Sequence, residues 1–443
     1  MSHWTRSCRL QVGIFVLVSL VFLMLVVIKS QSLFFVWEEW GQLWDAVEKP
    51  LWGVFQSHFG YMAPLSRMVF ALEAMVFGPW YTGYALVNAA ILLTFVFLLW
   101  RELRGESPAS QAIALSGSIV FLFSAGVIFA VNFAAMLGYF MCWLLGILAL
   151  RSWRRTGKVI APSLFLVAGA LSNNLMNITV TVFVVCVILA DPQNRKLPVR
   201  PAAVLGAVGL VASSFLLLIA RFLPAADSTI GTSQSLAGTA LTELPERVLQ
   251  MLSLVATWLA APFLGPVVLD QSLYSRAVIG LMDYRLILVG SFVLVSLLFF
   301  LTVGRRGSWR FTFLFIAILS FAAQVSLFRG DQGFEVRYTL MWLPAVIALW
   351  ALWSDPQSAT RNRALVVVLA VSLSVSAVAV LVLSFSYADR AIDLIRPRTA
   401  LSEELRRGVE LCGTDQQFTV PSELTPGMTW DQVCEAAEFF TRS

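Results

Sequence analysis

Residues 36–70 read VWEEWGQLWDAVEKPLWGVFQSHFGYMAPLSRMVF, and no other stretch of the chain is as dense in groups that can do chemistry. Four acids, Glu38, Glu39, Asp45 and Glu48, fall within eleven residues, interleaved with Trp37, Trp40, Trp44 and Trp52. Acids and tryptophans together are also what an interfacial amphipathic helix carries, because the indole has an apolar body and a polar N–H. Three features point further. Glu38 and Glu39 stand at the end of an apolar run, where partial desolvation suits a carboxylate to accept a proton near neutral pH. His58, the one histidine away from the N-terminus, lies in the same stretch and is followed by Gly60, Tyr61 and Pro64, which suit a tight turn. Arg67 then opens an apolar segment, where it can snorkel to the interface or hold a phosphate.

A second group lies far away in the chain. Gly330, Asp331, Gly333, Glu335, Arg337 and Tyr338 precede another apolar run. An arginine at the mouth of such a run needs a partner, either an acid such as Glu335 or an anionic ligand. One internal histidine and no Cys/His cluster argue against a zinc centre. Carboxylates with His58 could hold Mg²⁺ or Mn²⁺, although no spacing demands a metal. There is no P-loop, no dinucleotide fingerprint and no H-E-x-x-H.

The elements that position these residues are apolar helices. Hydrophobic residues make up 58% of the 443 residues and charged ones 13%, against about 45–50% and about 25% in soluble domains. Mean hydropathy is +0.80. This describes an all-α polytopic membrane protein. A span needs about 20 mostly apolar residues. Runs of that kind occur at 10–31, 82–101, 110–128, 133–150, 201–223, 285–304, 311–328, 337–354 and 364–386. Residues 159–190 read as two short spans around Ser172, Asn173 and Asn174, here taken as turn residues. Segment 248–269, with Pro262, Gly265 and Pro266, enters only partway. The apolar run Val12–Ile28 is longer than a signal-peptide core and no A-x-A site follows it, so it is expected to be a retained helix. About 11 crossings result, and Asn177-Ile178-Thr179, a glycosylation sequon, falls inside one of them.

Charge sets the orientation. With the N-terminus in the cytoplasm, segments 1–9, 101–109, 151–158, 191–200, 304–310 and 355–363 hold 16 of the 31 basic residues and only 4 of the 26 acids. That is the positive-inside pattern. The net charge of +5 is therefore a topology signal spread over separate loops, and no nucleic-acid partner is expected. The C-terminus falls outside. The expected organisation is a membrane domain, 1–386, whose outer loop 32–81 carries the site, and a small extracytoplasmic tail, 387–443, with short helices around 400–411 and 429–440. Cys412 and Cys434 lie in that tail, on the oxidising side, and are expected to form a disulfide. Cys8, Cys142 and Cys186 read as packing residues.

The pattern resembles the glycosyltransferase C (GT-C) superfamily, which includes protein O-mannosyltransferases, aminoarabinose transferases and many bacterial envelope transferases. The resemblance rests on a first helix, the acidic pair with tryptophan Glu38-Glu39-Trp40, and His58-Phe59-Gly60-Tyr61-Met62-Ala63-Pro64-Leu65-Ser66-Arg67 before an apolar helix. It extends to F-G-x-x-x-x-G-Y-x-L-V-N, Phe77 to Asn88, and to Arg337–Tyr338 opening a late span. Glutamates stand where that family usually has aspartates, Tyr61 replaces a second histidine, and Asn173–Asn174 replace a Lys-Glu. The resemblance implies a sugar transferase at the outer face of the plasma membrane. Its partners would be a polyprenyl-phosphate-linked donor, a glycan, lipid or protein acceptor, and the membrane lipids. Glu39, or in second place Glu38, would act as general base, with Asp45 less firmly placed. His58, Arg67, Arg337 and Tyr338 would bind the donor phosphate. The rival readings are a flippase or transporter of lipid-linked glycans, an O-antigen ligase or polymerase, and a non-catalytic assembly subunit of the same fold. Transporters tend to show internal repeats and charged or broken helices at mid-membrane, and this chain has no repeat.

Overall fold

In a chain this apolar the backbone must satisfy its own hydrogen bonds, and helices do so within one segment. The computed structural model describes residues 2–35, 39, 62–105, 107–191, 197–220, 222, 248, 251–252, 254–255, 258–259, 309–329, 339–354, 363–393, 398–414 and 429–442. Every element among them is helical. In chain order these are α1 (Ser2–Ser30), α2 (Pro64–Phe77), α3 (Tyr81–Leu103), α4 (Pro108–Leu122), α5 (Ala125–Val131), a 3₁₀ turn (Ala134–Met136), α6 (Leu137–Thr156), α7 (Ile160–Ser172), α8 (Asn174–Ala190), α9 (Val199–Ala220), α10 (Trp309–Arg329), α11 (Thr339–Trp353), α12 (Arg363–Ile392), α13 (Arg398–Val409) and α14 (Trp430–Arg442).

Local chemistry sets several of the boundaries. Ser107 caps α4 by accepting the Ser110 N–H at 3.1 Å, with Pro108 in the first turn. Asn173 caps α8 by accepting the Met176 N–H at 2.9 Å, so the polar break in the apolar run 159–190 is a helix–turn–helix as its composition implied. Thr429 and Gln432 form a reciprocal capping box at the start of α14. Gly157 ends α6 with φ +65°, a left-handed conformation that glycine adopts without strain.

Five described helices are long and apolar enough to cross a membrane: Arg9–Ser30, Tyr81–Leu103, Ala134–Thr156, Val199–Ala220 and Val366–Asp389. The pair α4 and α5 makes a sixth if counted as one span. The sequence suggests one continuous span at 110–128, but the helix breaks at Phe123–Ser124 and bends by 56°. No proline causes this. Ser124 is extended, and the Phe123 carbonyl freed by the break accepts the Tyr387 hydroxyl from α12. The bend is thus stabilised by a partner 264 residues away. Helices α7, α8, α10 and α11 contribute shorter apolar stretches. Segment 285–304 lies outside the described residues. Of 248–269, residues 248, 251–252, 254–255 and 258–259 are helical, and Trp258 stacks on Trp342 of α11 at 5.4 Å.

Helices α4, α5 and α11 form the centre of the bundle, buried along nearly their whole described length. Helices α1, α9 and α12 lie at its edge and expose apolar residues such as Leu17, Leu20, Val211, Phe215, Val375 and Val378. An apolar face of that extent is what lipid would cover.

Polar contacts divide the bundle into two ends. At one end Arg154 joins Glu102 (3.2 Å) and Asp191 (2.8 Å), Arg151 lies 3.7 Å from Glu102, and Ser110 donates to the Ala351 carbonyl. Gln11 of α1 reaches Gln111 at the same end. At the other end Lys29 pairs with Asp389, Ser66 donates to the Ser172 carbonyl, and Glu39 meets Tyr81 and Ala134. The first set joins only segments that the charge pattern groups together, and the second joins only their opposites.

Candidate functional site

The Glu39 end is built around a corner. Asn88, on α3, donates to the carbonyls of Phe133 (3.1 Å) and Val131 (3.4 Å), holding the α5–α6 connection against α3. This connection leaves the Ala134 N–H pointing out of the first turn. Glu39 fills it: its Oε1 accepts the Ala134 N–H at 2.6 Å and the Tyr81 hydroxyl at 2.6 Å. A carboxylate at the start of a helix, fed by a backbone N–H, is a stabilising arrangement. Glu39 is fully buried. It therefore ties the first loop to the N-terminus of α3 and to the turn before α6.

The motif Phe77–Asn88 acquires a packing explanation at this corner. Gly78 has φ +53°, which a side chain would resist, and its carbonyl accepts the Tyr84 hydroxyl at 3.0 Å. A Cβ on Gly83 would stand 2.5 Å from the Phe77 ring. Phe35 meets Tyr81 (5.1 Å) and Tyr84 (5.0 Å) edge-on, and Phe70 meets Tyr84 at 5.5 Å. Glycines, aromatics and Asn88 are thus the parts of one corner. The sequence marked them by likeness to a family, and the geometry supplies their physical role.

Helix α2 is inside out. Met68, Leu72, Met75 and Val76 are exposed along one face, while Ser66, Arg67, Phe70, Glu73 and Ala74 are buried on the other. The spacing i, i+4, i+7, i+8 defines the apolar outer stripe. Pro64 starts the helix, and Ser66 fastens it to α7 through the Ser172 carbonyl at 2.8 Å. Arg67 is 7% exposed, so its guanidinium does not snorkel out to the surface but stays within this end of the bundle. Glu73 is 6% exposed, and its Oε1 has no hydrogen-bond partner. Burial pushes its carboxyl up from 4.5 to about 8. The sequence reading passed over Glu73. The available signal was a lone acid inside the apolar run 68–77.

The tail braces the same end. Arg406 of α13 donates to the Leu33 carbonyl at 3.0 Å and lies over the Phe34 ring at 5.6 Å, and Ser402 reaches the Phe34 carbonyl. Cys412 and Cys434 are bridged, joining the end of α13 to α14 as their shared compartment suggested. Cys142 and Cys186 are free and buried, as packing residues are, while the Cys8 side chain lies outside the described residues. Of the residues expected at the site, the structure brings Glu39 and Arg67 to one end of the bundle. Glu38, Asp45, His58, Arg337 and Tyr338 lie outside the described residues, as do Gly330, Asp331, Gly333 and Glu335. Asn173 is a cap, as a turn residue should be. Asn174 is wholly buried, its N–H facing the Met62 carbonyl and both side-chain polar atoms without partners. Among the described residues no three His, Cys, Asp or Glu side chains converge as metal ligands.

No protein-family profile, no curated protein and no solved structure matches this chain.

Proposed function

We propose that the protein is a GT-C-type integral-membrane glycosyltransferase with about 11 transmembrane helices. In this reading the Glu39 end faces out of the plasma membrane, and a sugar passes there from a polyprenyl-phosphate donor to an envelope acceptor. The observation that carries the reading is the anchoring of Glu39, one of the two first-loop acids. Glu39 is drawn into the bundle end by Tyr81 and Ala134, the same end at which Arg67 is buried. The inside-out face of α2 supports it, since a lipid-facing helix beside the acids suits a donor that arrives through the outer leaflet.

The two glutamates divide the work. Glu39 is sealed and already accepts two hydrogen bonds, which suits a charged anchor more than a base that must meet an incoming acceptor. The general base then falls to Glu38, reversing the order of preference that position along the chain suggested. Glu38 takes the proton of the acceptor hydroxyl. The acceptor oxygen bonds to the anomeric carbon as the bond from that carbon to the phosphate oxygen breaks, with inversion. Arg67, His58, Arg337 and Tyr338 offset the charge gathering on the leaving polyprenyl phosphate. Asp45 remains the third carboxylate of the loop.

The test uses membranes containing the protein and a radiolabelled polyprenyl-phosphate sugar pool. Glu38→Gln should lower transfer about 10²–10⁴-fold, the usual contribution of a positioned base. Transfer that survives Glu38→Gln, Glu39→Gln and Arg67→Ala alike overturns the reading. The second reading, a non-catalytic assembly subunit, is favoured by one observation: the complete burial of Glu39 in a structural role.

A further inference from the structure

We propose that the arginine-rich end of α3 and α6 binds a phospholipid with an anionic headgroup, its phosphate held by Arg101, Arg151 and Arg155 and one acyl chain laid along Leu98, Leu144 and Leu148. Charge at this end is out of balance. Among the described residues, the cations Arg101, Arg104, Arg151, Arg154, Arg155 and Lys158 stand against two acids, Glu102 and Asp191. Arg104 is engaged over the Trp100 ring at 5.3 Å.

Both acids are taken by one arginine. Arg154 Nη1 donates to the Glu102 carboxylate at 3.2 Å and to the Glu102 carbonyl at 2.7 Å, and its Nη2 pairs with Asp191 at 2.8 Å. Arg151 is left with the other Glu102 oxygen at 3.7 Å, and its buried Nη1 makes no hydrogen bond. A long ion pair with an acid already held by a better-placed neighbour compensates a half-buried guanidinium poorly. Arg101 and Arg155 are exposed, and neither has an ion-pair partner among the described residues. Both press on Arg151 with like charge. Three guanidinium groups therefore crowd one place, and an anion between them relieves the crowding.

The helices that carry these arginines supply the rest of the site. Helices α3 and α6 pack side by side. Leu98 lies one turn before Arg101, and Leu144 and Leu148 lie two turns and one turn before Arg151, so each strip shares a face with its arginine. All three leucines are half-buried, which leaves an apolar surface running away from the charge along the helix axes. Helix α2 covers the other end of α3, where Phe70 and Phe77 meet Tyr84. A phosphate answers the arginines because a guanidinium fork matches its oxygens in pairs. An acyl chain answers the leucines. A basic pocket between membrane helices, set over apolar surface, is the pattern that holds an anionic lipid headgroup. A free anion would meet only the charged half of the site. Sugar transfer plays no part in this binding.

The experiment presents the full chain in detergent with phosphatidylglycerol or phosphatidylcholine of identical acyl chains, and reads bound lipid by native mass spectrometry. Phosphatidylglycerol should be retained in preference to phosphatidylcholine. Arg101→Gln, Arg151→Gln and Arg155→Gln should each lower that preference about fivefold, the effect of one basic residue on an anionic headgroup. Lys158→Gln removes the same charge at the same end from outside the arginine group and should leave the preference nearly unchanged. Equal retention of the two lipids, or a loss that Lys158→Gln shares in full, overturns the proposal. Excess inorganic phosphate should not displace the lipid, because it has no chain for the leucines. Displacement by phosphate would mean a site for a free anion and overturns the lipid assignment. If Arg151→Gln does not fold, Arg101→Gln and Arg155→Gln decide the matter, since both arginines are exposed and neither neutralises a buried acid.

Discussion

Tyr81 donates its hydroxyl proton to Glu39 Oε1 at 2.6 Å, across 42 residues of chain. The Ala134 N–H reaches the same oxygen and also lies 3.3 Å from the Tyr81 hydroxyl. Three segments, the first loop, the start of α3 and the turn before α6, therefore share a single oxygen atom. Glutamine at position 39 keeps an oxygen there and removes only the charge. Alanine leaves the Ala134 N–H with only the Tyr81 hydroxyl at 3.3 Å, while that hydroxyl keeps the Asn132 carbonyl at 3.0 Å; a buried donor left short of its acceptor costs about 1–3 kcal/mol.

Glu39→Ala is accordingly expected to destabilise the protein by about 1–3 kcal/mol, and Glu39→Gln by much less. Thermal unfolding in detergent, followed by tryptophan fluorescence, measures both. Equal losses in the two variants would show that the charge matters and the acceptor geometry does not.

The tail offers a second test of how this end is held. The bridge Cys412–Cys434 closes a separation of 22 residues, which corresponds to about 3 kcal/mol of stabilisation on the loop-closure estimate. Arg406 then docks the bridged unit on Leu33 and Phe34, a few residues before Glu39. Replacing both cysteines by serine should make residues 398–442 sensitive to protease while the bundle stays intact. Arg406→Ala should release the tail with its bridge still formed, which peptide mapping without reductant can show.

Glu73 gives a pH-dependent stability whose sign follows from its direction of shift. Its proton affinity is higher in the folded protein, moving from 4.5 to about 8. Between those values the folded state binds more protons than the unfolded state, so stability falls as pH rises and levels off above 8. Glu73→Gln removes that dependence. The variant should match wild type near pH 4 and exceed it by about 3 kcal/mol at pH 7, measured by thermal unfolding across that range. A gain that is constant with pH would mean the glutamine packs better and the proton is irrelevant.

Much of this architecture was legible where a local signal sufficed. A polar interruption of an apolar run places Asn173 at a helix start, because its side chain replaces a missing backbone acceptor. The cysteine bridge followed from both residues lying in one tail segment, which the charge pattern assigns to the oxidising side. Other features depend on distant partners. The break at Phe123 has no proline to announce it and relies on Tyr387. The inward face of Arg67 and Glu73 was harder to read, because α2 inverts the usual amphipathic rule and buries its charged residues while exposing its apolar ones. The sequence could place Glu39 beside an apolar end, but Ala134 and Tyr81 as its donors are set by tertiary contact alone.

The polar contacts at the two ends make the orientation a single question. Glu102, Arg151, Arg154 and Asp191 share one cluster, so the ends of α3, α6 and α8 that carry them must lie on one side together. Arg406 with Leu33, and Lys29 with Asp389, fix the opposite end in the same way. Charge then chooses between the two orientations, because arginine and lysine concentrate on the cytoplasmic side. Thr156 is exposed at the arginine-rich end, and Glu403 is exposed on the tail helix α13. In a Cys8→Ser background, Thr156→Cys should react with a membrane-impermeant maleimide only after the membrane is opened. Glu403→Cys should react in intact cells. The buried Cys142 and Cys186 should stay silent in both. Reversed labelling would invert every loop at once and move Glu39 to the cytoplasm, where a lipid-linked donor displayed in the outer leaflet could not reach it. Labelling of both positions from the same side would instead break the bundle's two-ended contact pattern, which no choice of orientation can repair.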